Sequence, residues 1–163
     1  MAFVVFGDSY VSRLEKYVKN HPFDLNDSEV KFYGVPGMST VRKFHDKFQI
    51  MLADKPNYLR KYYYHFRFVF VNLGGNDINS SCNPQQIFEN IVTIVKQLKN
   101  AGVEHVFVAS IVERGSFLSW TGCNSNMFNK VRRSINCKLS VKFKEHYVDV
   151  GKKLRKIKIP KTL

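Results

Sequence analysis

The chain has 163 residues, 44% of them apolar and 14% aromatic, which is room for one domain with a real core and excludes disorder over most of its length. Lys and Arg number 26 against 13 acidic residues, a net charge of +13 with neutral histidines, and such a surplus favours acidic partners. Cys82, Cys123 and Cys137 lack any C-x-x-C spacing, which speaks against a disulfide framework or a zinc site. No run approaches the roughly 20 apolar residues of a membrane helix, and residues 2–6 are too short for a signal-peptide core, so an intracellular protein, cytoplasmic or nuclear, is expected.

Residues 3–6 are apolar without alternation and suit a strand buried on both faces. The run stops at Gly7-Asp8-Ser9, after which Val11, Leu14, Tyr17 and Val18 fall at helical spacing, with Arg13, Glu15, Lys16 and Lys19 opposite. Ser9 therefore stands at a strand-to-helix turn, where ligands bind in open parallel sheets. His21-Pro22 ends the helix, residues 30–33 make a second strand, and Gly34-Val35-Pro36-Gly37 a tight loop. Ser39 or Thr40 is expected to cap a helix through Val41, Phe44 and Phe48, leaving the Gly37 N–H free near its N-terminus.

Residues 49–59 are ambiguous because Pro56 breaks them, and residues 66–73 read as a third, central strand ending in Gly74-Gly75-Asn76-Asp77. Pro84, then Ile87, Ile91, Ile94, Val95 and Leu98, closed by Asn100-Ala101-Gly102, mark the clearest helix. Residues 103–111 form a fourth strand, and residues 113–123 a long loop of the kind that walls substrate sites. Met127, Phe128, Val131, Ile135 and Leu139 stripe a last helix, and residues 147–150 are a fifth strand. Strand and helix thus alternate throughout, which predicts a three-layer α/β/α domain with a five-stranded parallel sheet over residues 1–150. Residues 151–163, with six Lys/Arg and no acid, are expected to form a flexible basic tail.

A serine hydrolase needs a nucleophile, a base and donors aimed at an oxyanion. Ser9 can supply the oxygen, and the N–H groups of Ser9 and Gly37 with the Asn76 side chain can converge as donors, because all three follow parallel strands. Taken singly, Ser9 equally fits a helix cap and Asn76 a turn residue. Asp8 reads as a turn-fixing residue rather than an acid.

Gly7-Asp8-Ser9, then Gly37, then Gly74-Gly75-Asn76-Asp77 resemble, in order and spacing, the first three sequence blocks of the SGNH hydrolase (GDSL esterase and lipase) family. The resemblance implies the flavodoxin-like fold of that family and a small ester or acyl substrate. It also implies Ser9 as nucleophile, Ser9, Gly37 and Asn76 as the oxyanion hole, Gly7, Asp8, Gly74 and Asp77 as turn-supporting residues, and no cofactor or metal. The segment from Phe128 through Asn136 is also similar to SGNH domains of animal retroelement polyproteins.

The family's late Asp-x-x-His, which supplies its base, has no counterpart here: no Asp or Glu precedes a His by three, and Lys152 stands three after Asp149. The resemblance places that block some tens of residues after the fifth strand. His65, His105 and His146 lie at or before strand starts, opposite the three turns, while His21 follows a helix and His45 lies within one. The alternative to an esterase is a catalytically weak module of the same fold that binds RNA or DNA. Residues 124–163 carry twelve Lys/Arg and two acids, and Lys152, Lys153, Arg155, Lys156 and Lys158 are the candidate phosphate contacts. A solvated basic face explains the same charges.

Overall fold

The computed structural model describes residues 2–21, 29–41, 44–53, 67–117 and 119–152. Strands β1 (Ala2–Gly7), β2 (Glu29–Gly34), β3 (Phe68–Asn72), β4 (His105–Ala109) and β5 (Tyr147–Val148) alternate with helices α1 (Ser9–Asn20), α2 (Phe44–Ala53), α3 (Pro84–Asn100) and α4 (Ser125–Phe143). The strands form one sheet in the order β2-β1-β3-β4-β5, every pair parallel. The expected α/β architecture is present, with β3 at the centre. Among the described residues no helix is long and apolar enough to cross a membrane.

Burial of the sheet is unequal on its two faces. Val4, Phe6, Val69, Val71, Val106 and Val108 are fully buried, whereas the alternate positions Phe3, Val5, Phe68, Phe70 and Phe107 are half-buried. The unalternating apolar run of β1 therefore does not mean equal burial on both sides. Its less covered side instead carries an aromatic ladder, with Phe3 5.0 Å from Phe68 and Phe68 stacked 4.9 Å from His105.

Helix α3 is built as its spacing demands. Asn83 caps it by accepting from the N–H groups of Gln85 and Gln86, Pro84 occupies the first turn, and Ile87, Ile91, Ile94, Val95 and Leu98 are all buried. Each such side chain stabilises the fold by about 1.5–3 kcal/mol relative to exposure. Helix α4 is longer than its stripe suggested, with Phe128, Ile135 and Leu139 buried in the same core.

Helix α1 departs from expectation. Val11 is buried and Val18 half-buried, but Leu14 and Tyr17 are 43% and 60% exposed while Ser12 and Glu15 are half-buried, so the seating face is rotated from the one the apolar spacing marked. The cause is Gly34, where an added Cβ would come within 2.8 Å of the Val11 carbonyl carbon and 2.9 Å of the Ser12 Cα. Main chain packs on main chain there, and that contact decides which side of the helix meets the sheet. Strand β5 is also shorter than expected, and the chain turns helical from residue 150.

Candidate functional site

The ends of three strands are level. Gly7 is in register with Gly34 of β2 and with Asn72 of β3, so the segments that follow these strands leave the sheet at one height. A side chain on Gly7 would meet the Asn72 carbonyl carbon at 3.1 Å and Val11 Cγ2 at 2.7 Å; glycine is needed for α1 to start this close to β3. Asp8 N–H donates to the Asn72 carbonyl at 3.3 Å, and Val35 N–H to that of Gly7 at 3.1 Å.

The cap of α1 is Asp8, whose Oδ1 accepts from Tyr10 N–H at 3.0 Å. Ser9 is thus the first helical residue and not the cap. Its N–H has no intrahelical partner by position, and among the described residues neither that N–H nor its hydroxyl is hydrogen-bonded. Gly37 sits in a turn at φ 74°, a left-handed conformation that glycine adopts without strain, and its N–H has no partner among the described residues either.

Ser39 and Thr40 do not open a helix, since α2 begins at Phe44. Thr40 is drawn instead to the third turn: its N–H lies 3.0 Å from both oxygens of Asp77 and its hydroxyl donates to Asp77 Oδ1 at 2.7 Å. Asn90 of α3 donates to the same hydroxyl at 2.9 Å. A half-buried carboxylate offered three contacts outcompetes a helix start for these donors. Asp77 thereby ties the second turn to the third, although burial pushes its carboxyl up from the usual range against the donors of Thr40 and Ser39.

Gly74, at φ 103°, leads into a single 3-10 turn, Gly75–Asp77. Asn76 on that turn is gripped on several sides. Its Nδ2 donates to the Met38 carbonyl at 2.8 Å and lies 3.5 Å from Asp8 Oδ2, while its Oδ1 accepts from Arg114 Nη2. The amide is therefore oriented, with its NH2 end toward the second turn. A Cβ on Gly75 would approach Arg114 Nη2 at 3.4 Å and Asp8 Oδ2 at 3.9 Å; the glycine leaves room for the two charges to face each other. Asp8 is 2% exposed. Burial pushes its carboxyl up, and the Tyr10 N–H, Arg114 and Arg13 pull the other way.

Arg114 went unread in the sequence. It lies in the long loop after β4, its guanidinium 5.4 Å from the ring centroid of Phe128. The start of that loop is held by Asn136 of α4, which accepts from Ile111 N–H and donates to Ile111 O, both at 2.9 Å, and by the Arg132–Glu113 ion pair at 2.7 Å. An Asn facing inward from a basic helix was the available signal.

Ser9, Gly37 and Asn76 line one pocket of about 760 Å³, together with Arg13, Asp77 and Arg114. No described histidine lines it. His21 follows α1 and stacks on Tyr17, His105 opens β4, and His146 directly precedes β5; the His45 side chain and His65 lie outside the described residues. Lys152 is exposed, its N–H on Asp149 Oδ1 at 2.9 Å, and Lys153, Arg155, Lys156 and Lys158 fall outside the described residues. Among the described residues no group of three or more His, Cys, Asp or Glu is placed to hold a metal.

No family model matches the chain, and no curated protein matches it in sequence. Solved structures do. A Bacteroides fragilis protein assigned as an acylhydrolase is 21% identical with a TM-score of 0.61, over 91% of this chain and 66% of that one. A GDSL-like lipase of Bacteroides thetaiotaomicron is 20% identical with a TM-score of 0.60, over 91% and 67%. A member of the lipolytic G-D-S-L family from Veillonella parvula is 17% identical with a TM-score of 0.68, over 95% and 80%. The chain thus spans about two thirds of the length of the two Bacteroides proteins. What these likenesses establish is the fold: the chain resembles, and is folded as, the SGNH/GDSL-type hydrolases.

Proposed function

We propose that the chain is a serine esterase domain of the SGNH type, acting on a small carboxylic ester. The observation that carries this reading is the convergence of Ser9, Gly37 and Asn76 on one pocket, with the Ser9 hydroxyl uncommitted among the described residues. Ser9 Oγ attacks the ester carbonyl carbon, and the negative charge that develops on the carbonyl oxygen meets the N–H groups of Ser9 and Gly37. The Asn76 amide adds a third donor when it turns a hydrogen from Asp8, its longer contact at 3.5 Å against 2.8 Å to the Met38 carbonyl, toward the oxyanion. The carbon–oxygen bond to the alcohol then breaks, the alcohol leaves with a proton, and water releases the acyl group from Ser9.

The reading places the proton acceptor for Ser9 outside the described residues. His21 lies twelve residues along α1 from Ser9, roughly 18 Å at the helical rise, and the other described histidines open strands at the far end of the sheet. Hydrolysis of 4-nitrophenyl acetate tests the assignment. Ser9→Ala is expected to reduce turnover to the buffer rate, and Asn76→Ala to lower kcat by roughly 10²–10³. Turnover that survives Ser9→Ala would show that the pocket is not the site of an acyl transfer through that residue.

A further inference from the structure

The pocket next to Ser9 has a mixed lining, with Tyr10, Ile78 and Phe117 among the polar groups, and it carries two cations against one acid, Asp77. Hydroxyl and amide groups from Ser39, Ser116, Thr121 and residues 79–81 line it, along with two guanidinium groups, Arg13 and Arg114. Arg114 is engaged by Asn76 and lies over Phe128. Arg13 is exposed, and among the described residues it forms no hydrogen bond or ion pair; its guanidinium lies 6.0 Å from the Tyr10 ring centroid.

Arg13 is four residues after Ser9 in α1, so the two share a helix face about 6 Å apart along the axis. Tyr10 closes the gap to the opposite wall, its hydroxyl donating to the Glu113 carbonyl at 3.5 Å. Asp8 attracts Arg13 through space without a direct ion pair, and the other nearby acids are engaged elsewhere. Glu113 pairs with Arg132 at 2.7 Å and Glu15 with Lys19 at 3.0 Å. Asp77 takes the donors of Thr40, and Asp8 lies beneath the site, 2% exposed.

We propose that Arg13 selects esters bearing an anionic group, a carboxylate or phosphate, within about one helical turn of the scissile carbonyl. The proposal rests on the reading of Ser9 as nucleophile. An exposed guanidinium one helical turn from Ser9, without an ion pair among the described residues, suits an anionic substrate group, and the net charge of +13 draws anions toward the site.

Matched esters test it on the full chain. On the acyl side, 4-nitrophenyl hemisuccinate is compared with 4-nitrophenyl butyrate; on the alcohol side, 4-carboxyphenyl acetate with phenyl acetate. At least one pair is expected to favour the anion by roughly tenfold in kcat/KM, carried by KM, and Arg13→Gln to remove that preference. Equal handling of both pairs, or a preference that survives Arg13→Gln, overturns the proposal. Succinate binding by calorimetry needs no turnover: it is expected to weaken roughly tenfold in Arg13→Gln, and unchanged binding overturns the assignment. Loss of the esterase reading looks different, because every ester would then be indifferent to Ser9→Ala.

Discussion

Asp8 caps α1 through Tyr10 N–H at 3.0 Å and at the same time sits 2% exposed beneath Asn76. Burial raises its pKa above the usual 3.8, so the folded chain holds the proton more tightly than the unfolded one. The stabilisation from this group is full below its unfolded pKa and is lost as pH rises through the raised folded value. Asn caps helices as well as Asp does and carries no charge to bury. Thermal melts should therefore show Asp8→Asn gaining stability relative to the parent between pH 4 and pH 7; a constant difference across that range would mean that the Asp8 carboxyl is not desolvated. At this scale the sequence placed Ser9, Gly37 and Asn76 at turns that follow strands, and these three residues line one pocket. The sequence was silent on Arg114, whose place depends on the missing side chain of Gly75 and on Asn136, 22 residues further along the chain. Non-local contacts of that kind leave no periodic trace.

Helix α3 was fully legible because cap, first-turn proline and apolar stripe all agree. Helix α1 was not, since its seating follows from Gly34 rather than from its own apolar residues. The start of α2 was misread for a similar reason: Thr40 is a good cap in isolation, but Asp77 takes its donors. Gly34→Ala forces α1 away from β2 at the Val11 and Ser12 main chain, which cannot yield as a flexible side chain would. The expected cost is about 2–3 kcal/mol, read as a lower urea midpoint with an unchanged m-value. A neutral result would mean that α1 is not seated on β2 as described.

Across the whole molecule, the site follows from strand order. From β1 the chain goes to β2 on one side and then returns to β3 on the other, so β1 lies at the switch point where open parallel sheets form a crevice at their C-terminal ends. Ser9 follows β1, and the level ends of β1, β2 and β3 bring Gly37 and Asn76 to it. Alternating strand and helix signals made this arrangement readable in advance; the depth of the site, set by Gly7, Gly34 and Gly75, was not. The most direct measurement is mass spectrometry of the chain after exposure to a fluorophosphonate, which transfers its phosphonyl group to an activated serine and loses fluoride. The expected result is a single adduct mapped to Ser9, absent in Ser9→Ala and slowed in Asn76→Ala. An unmodified Ser9, or labelling that persists in Ser9→Ala, would contradict the account.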